Sequence, residues 1–280
     1  KDIHKREYFK ILADYVWKLF ILLRKKSGTI WDNLRIDCLI TLRRYSKYFS
    51  NIFPPKAWNL FDSRIETRKF FKKKYNSDAI SYILKSKKNF NKNEKVLVLR
   101  EQGIGEEILF SSLYSDLIRY SDNITIESDP RLIGIFERSF NKKIFVEDGK
   151  FSKDIKGLKN FEVIIFAGSL CRKFRKEKNN FSKITYLLSN KKKDLELSKS
   201  SIFKKNKLNV GLSWKSVVSI YGKLKSLNLI DFKQIFKKNR QIINLQYGDV
   251  KSDIKAIKDE NCNIYSFDKI NLFNDIDGCM

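Results

Sequence analysis

Apolar residues recur at three- and four-residue steps early in the chain, at Phe9, Leu12, Val16, Leu19 and Leu23, the spacing of one face of an α-helix. Pro54 and Pro55 interrupt that pattern ahead of Trp58, because proline cannot donate to a helical ladder. The pattern therefore predicts a helical segment over residues 1–92. The character changes after Asn93-Glu94-Lys95. Val96-Leu97-Val98-Leu99 is an unbroken apolar run that leads into Glu101-Gln102-Gly103-Ile104-Gly105, and such a run marks a strand buried on both faces of a parallel sheet. Beyond the glycines, Leu109, Leu113 and Leu117 fall at four-residue steps with Phe110 and Tyr114 beside them, predicting a helix that packs back on the sheet. Ile124–Glu127 reads as a second strand. Asp129 then supplies an N-cap and Pro130 a first helical position for a helix carrying Leu132, Phe136 and Phe140, as capping preferences require. Ile144–Val146 and Val163–Phe166 read as further strands.

Strand and helix thus alternate across residues 93–206 in the order of a doubly wound parallel sheet, an α/β fold. The stretch from Ala167 to Lys207 is polar and Lys-rich, too long for an ordinary connection, and it places a boundary near 206. A second α/β unit occupies 207–280. It reads as a strand at Leu208–Leu212, a helix from Leu229 to Phe236, a strand at Ile242–Gln246, a helix capped by Asp249 with Val250, Ile254 and Ile257, and a strand at Asn263–Ser266. Three strands alone would leave an unpaired edge. The expectation is one complete Rossmann-like half followed by a truncated second one, with both ends, at Lys1 and Met280, read as cuts.

Composition narrows the function classes. With 42% hydrophobic and 14% aromatic residues in 280, the chain can bury a substantial core and is not a disordered protein. A net charge of +26 would ordinarily point to a polyanionic partner. Here the lysines are spread along the whole chain among Asn, Ile, Phe and Tyr, with few Pro, Gly, His or Met, which is the mark of AT-biased codon usage; no specific nucleic-acid partner is expected. Cys38, Cys171, Cys262 and Cys279 lie far apart without a CxxC pair, so neither a zinc site nor a disulfide framework is expected, and a reducing cytoplasm fits. The most apolar window, Tyr15–Leu23, contains Lys18 and is far short of the ~20 residues of a membrane span. It reads as a buried helix, leaving only peripheral contact with a membrane open.

Candidate chemistry begins at the glycines. Gly103-x-Gly105 between a strand and a helix lets backbone approach a ligand, and a helix N-terminus favours an anion. Ile108 stands where a third glycine of a dinucleotide fingerprint would be, which disfavours nicotinamide and flavin cofactors. A methyltransferase stays open, with Glu127 as its ribose-binding carboxylate. Glu106 and Glu107 occupy the first helical turn, where the macrodipole alone favours carboxylates; one of them could serve as a general base. In the second unit Ser213-Trp214-Lys215 follows its first strand, and Lys223 and Lys225 lie in the loop beyond, placed to stabilise a departing diphosphate without a metal.

Several stretches carry a resemblance in their shared order and spacing. They are Ala57-Trp-Asn-Leu-Phe-Asp-Ser-Arg64, Glu101-Gln-Gly-Ile-Gly-Glu-Glu-Ile-Leu-Phe110, Glu127-Ser-Asp-Pro-Arg-Leu132, Phe136-Glu-Arg-Ser-Phe140, Gly168-Ser-Leu170 with Phe174-Arg175 and Tyr186-Leu187, Val210-Gly-Leu-Ser-Trp-Lys215 and Leu245-Gln-Tyr-Gly-Asp249. Together they resemble a bacterial family in which tetratricopeptide-type helices precede a GT-B glycosyltransferase domain, akin to heptosyltransferases and O-linked N-acetylglucosamine transferases. The resemblance implies a GT-B-like fold, a degenerate repeat end before residue 92, and inverting, metal-independent transfer from a nucleotide sugar to a glycan, lipid-linked or protein acceptor, with no cofactor. It carries the catalytic base onto Glu106, where the relatives usually have Asp, and implies that the donor's diphosphate and base are held mainly by the second half; the residues read by position as donor-binding are Gly103, Gly105, Ser213, Lys215, Lys223 and Lys225. The relatives also use a later Gly-rich stretch with a His that this sequence does not reach. His4, the sole histidine, is in the wrong region, so the piece alone is expected to be inactive. A GT-B-like scaffold without catalysis is the alternative reading.

Overall fold

A computed structural model of the chain describes residues 58, 61–62, 64–67, 74–87, 89–101, 103–181, 185–200, 202–203, 206–216, 222, 226–267 and 270–280. The periodic run from Phe9 to Leu23, Pro54–Pro55, His4, Cys38, Lys223 and Lys225 lie outside the described residues. Two compact units emerge. One runs to Ile133 and resumes from Phe140 to Tyr186; the other holds Leu187–Met280 together with Gly134–Ser139. The division thus falls at Tyr186, ahead of the break expected at 206.

The first unit is built on a four-stranded parallel sheet in the order β3-β2-β1-β4, formed by β1 (Val96–Leu99), β2 (Ile124–Ser128), β3 (Phe145–Glu147) and β4 (Val163–Phe166). Val96 lies opposite Ile124 on one side and Val163 on the other. Every residue of β1 and β4 is buried, as strands covered on both faces must be. On one face Leu97, Leu99, Ile164 and Phe166 pack with Leu158, Phe161, Tyr75, Ala79 and Ile83. Ala79 and Ile83 belong to a helix at Ser77–Lys85, here α1, which starts at Asn76 with its side chain accepting from Ala79 N. Val96 and Val98 alternate to the opposite face.

The helix expected through Leu109, Leu113 and Leu117 is two helices, α2 (Ile104–Ser111) and α3 (Tyr114–Tyr120). The hydroxyls of Ser111 and Ser112 donate to Ile108 O and Leu109 O, competing for helical carbonyls, and the chain turns there. The turn resets the buried face: Leu113 and Leu117 are buried, but Leu109 is 61% exposed. The next helix, α4 (Pro130–Phe140), starts as expected, with Asp129 accepting from Arg131 N and Pro130 in the first turn, and stops at Asn141 in the left-handed region.

The second unit carries a three-stranded parallel sheet, β5-β6-β7, from β5 (Leu208–Leu212), β6 (Arg240–Asn244) and β7 (Ile264–Tyr265). Its core gathers Leu212, Trp214, Leu229, Ile242, Ile257, Cys262 and Ile264. Leu229–Ile235 is a 3₁₀ helix, not the expected α-helix; Asn228 and Asp231 close a reciprocal capping box at its start, fixing a tight three-residue turn. The helix Lys251–Asp259, here α5, has Val250 rather than Asp249 at its N-cap, and Asp249 instead accepts from Lys251 N at 3.1 Å. The fold is α/β with parallel sheets, compatible with Rossmann-like folds. Among the described residues no helix is long and apolar enough to cross a membrane.

Candidate functional site

The carboxyl end of β1 is where an open parallel sheet offers a ligand its place. Gly103 caps α2 in extended conformation (φ −129°) without a side-chain cap. Among the described residues, leaving aside the chain neighbours and the helix's own backbone, no heavy atom lies within 4 Å of where a Cβ would sit on Gly103 or Gly105. Neither glycine is therefore demanded by backbone strain or by packing inside the protein; both leave open space beside the turn.

The two first-turn acids part company. Glu106 is half-buried, whereas Glu107 is completely enclosed. Glu107 Oε1 accepts from Asp129 N at 2.9 Å and Oε2 pairs with Arg100 Nε at 2.9 Å. Burial pushes the Glu107 carboxyl up to about 7, with Arg100 pulling against it, as expected for a carboxylate removed from water. Arg100 reaches on to Asp129 at 3.3 Å and Asp148 at 3.4 Å. Lys74 pairs with Asp148 at 2.5 Å and Arg131 with Asp129 at 2.8 Å. Three cations and three carboxylates, from the ends of β1, β2 and β3, from the first turns of α2 and α4 and from the chain before α1, thus neutralise one another. Glu107 is a structural group, leaving Glu106 as the acid at the open turn.

Glu127 does not face a ligand. Its Oε1 accepts from Phe151 N at 2.7 Å and Ser152 N at 2.8 Å, and its Oε2 from Gly149 N at 3.1 Å and Ser152 Oγ at 2.5 Å. A buried carboxylate holding four donors anchors the loop after β3 and has no oxygen left for ribose hydroxyls, which corrects the role considered for it.

In the second unit Ser213 and Lys215 follow β5, and their placement comes from Gln246. The buried Gln246 Oε1 accepts from Ser213 Oγ at 2.9 Å, Trp214 N at 3.0 Å and Lys215 N at 2.8 Å, while its amide donates to Tyr247 O. Lys215 Nζ is itself engaged, 2.6 Å from Asp253 Oδ2 and 2.7 Å from Asp249 O. Asp253 Oδ2 also accepts from Trp214 Nε1 at 3.1 Å.

Sequence reasoning picked out Gly103, Gly105, Glu106, Ser213 and Lys215 but missed Arg100 and Asp253 as partners. Gln246 reads in sequence as the last residue of the strand Ile242–Gln246, whereas the strand ends at Asn244 and Gln246 lies just beyond it. Among the described residues no group of three or more His, Cys, Asp or Glu could hold a metal ion. Burial pushes the Cys171 thiol up to about 12, which removes it as a nucleophile at neutral pH. Compared with known proteins, the sequence matches no family model and no curated protein.

Proposed function

We propose that the chain belongs to a glycosyltransferase that passes a sugar from a nucleotide-sugar donor to an acceptor hydroxyl. The observation that carries this reading is the open Gly103–Gly105 turn at the carboxyl end of β1, with Glu106 in the first turn of the helix that follows. In the reaction the acceptor hydroxyl gives its proton to the Glu106 carboxylate as its oxygen bonds to the anomeric carbon. The bond from that carbon to the diphosphate oxygen breaks, its electron pair leaves with the nucleoside diphosphate, and the anomeric configuration inverts. Such a base contributes about 10²–10⁴-fold. Ser213 and Lys215, with Lys223 and Lys225, are assigned to the donor. Lys215 has spent two of its three ammonium protons on Asp253 and Asp249, so one is left for a phosphate oxygen.

The test is Glu106→Gln in the complete gene product, assayed for nucleoside diphosphate release from a panel of nucleotide sugars. Turnover should fall by about 10²–10⁴-fold with donor binding unchanged; undiminished turnover excludes Glu106 as the base. A second reading, a GT-B-like module that binds without catalysing, is favoured by the mutual neutralisation of the charges around Arg100 and by the pairing of Lys215 with Asp253. It predicts no diphosphate release from any donor.

A further inference from the structure

Trp58, Phe61, Asp62 and Arg64 tie down both ends of α2. Arg64 is buried and sets Nη2 2.6 Å from Oε1 of the buried Glu101, with Nε 3.4 Å from Oε2, the fork-to-fork geometry of a guanidinium on a carboxylate. The same Oε1 accepts from Gly168 N at 2.8 Å, so Glu101 ties the exit of β1 to the exit of β4. Asp62 Oδ1 accepts from Ser169 Oγ at 2.6 Å and its Oδ2 pairs with Arg172 at 2.6 Å. The Arg64 guanidinium lies 4.0 Å over the Phe61 ring, and that ring packs on Phe110 of α2 with centroids 5.8 Å apart. At the far end Trp58 Nε1 donates to Arg175 O at 2.7 Å, and Arg175 donates to Ser112 O, at the C-cap of α2, at 3.0 Å.

A buried ion pair is a poor source of net stability, because desolvation offsets the attraction and apolar side chains of similar volume would serve as well. What it supplies is geometry. Gly168 shows how closely this one is fitted: a Cβ there would lie 2.8 Å from Arg64 Nη2, 2.8 Å from Glu101 Oε1 and 2.9 Å from Phe61 Cε1.

We propose that Arg64 is a positioning residue, which through Glu101 fixes the Gly103–Gly105 turn and the first turn of α2, so that Arg64 and its neighbours Phe61 and Asp62 govern whether Glu106 stands in place. The consequence for chemistry rests on the transferase reading above; the coupling of Arg64 to the turn does not. Arg64→Lys keeps the charge and loses the fork, and Glu101→Gln keeps the shape and loses the charge, so both are variants with a fair prospect of folding. Hydrogen–deuterium exchange of the full chain is read over residues 100–108, with 130–140 as the internal control.

Each single variant should raise exchange at 100–108 about tenfold or more with the control unchanged, and the double variant should add little beyond either, as for members of one network. In the complete gene product, kcat should fall about tenfold in Arg64→Lys with the donor KM kept, the mark of a misplaced group. Unchanged exchange at 100–108, or an equal rise in the control, overturns the proposal. Locally raised exchange in the variants, with a wild type that releases no nucleoside diphosphate, upholds the coupling and sinks the transferase reading instead. Locally raised exchange with an unchanged kcat in an active enzyme overturns the positioning role.

Discussion

The two units repeat one topology with different degrees of enclosure. In each, three consecutive strands run parallel and lie side by side in chain order, β1-β2-β3 in one and β5-β6-β7 in the other. In the first unit β4 adds to β1 on its remaining side, and β1 is buried at every position. In the second, among the described residues, β5 pairs only with β6, and Leu208 is 60% exposed. The leading strand pairs with the next strand in both; β1, all apolar, gains a second flanking strand and is buried throughout, while β5, which carries Asn209 and Gly211, is enclosed only at Leu212. The charged groups differ in the same way. The first unit buries carboxylates completely and must hold each with several donors; the second keeps its Lys215–Asp253 pair part-exposed, where an ion pair is worth little.

Leucine truncation gives the largest contrast. Leu97→Ala should cost about 2–5 kcal/mol, because it opens a cavity beneath α1, whereas Leu208→Ala should cost under about 0.5 kcal/mol. Urea unfolding monitored by circular dichroism measures both, and similar losses would break the comparison. The next effect is in pH. The folded-state pKa of Glu107, about 7, stands above its ordinary 4.5, so at low pH the group is neutral in both states and costs nothing. As pH rises through this window the unfolded chain ionises first, and Glu107 contributes a growing destabilisation, complete above pH 7 and worth about 3 kcal/mol. Glu107→Gln should therefore gain on the wild type by that order between pH 4.5 and 8 in parallel urea titrations. A difference that stays flat across the range would mean that Glu107 is ionised throughout.

The smallest contrast lies in two glycines. Gly168→Ala would press a methyl group against the Arg64–Glu101 pair and Phe61, and should cost about 1–3 kcal/mol. Gly211→Ala meets only the Leu245 side chain, 39% exposed and free to swing away, and should cost under about 1 kcal/mol. Thermal melts of the two variants decide it, and a costlier Gly211→Ala would reverse the reading of which strand exit is tightly fitted.

What was legible from the residues was whatever depends on near neighbours. The run Val96–Leu99 gave its strand and its burial, and Asp129-Pro130 gave the start of α4. The break at Ser112 escaped, because two serines turning their hydroxyls onto helical carbonyls look no different in sequence from two on a helix surface. The roles of Glu127 and Glu101 escaped for another reason. Glu101 meets Arg64 across 37 positions and Gly168 across 67, and in a chain with 58 Lys and Arg nothing local marks which cation a buried acid will find. The candidate site was legible as a turn and two acids; that Glu107 is the fully buried one follows from how α2 packs.

The one-sided pairing of β5 bears on the behaviour of many copies together. A bare strand margin presents a ladder of amides and carbonyls that a second molecule can extend, which is how sheets begin to aggregate. Lys207 stands directly before this strand, where like charge acts as a gatekeeper against such stacking. Salt at physiological strength shortens the reach of that repulsion to about 8 Å, so the protection of this edge weakens as ionic strength rises.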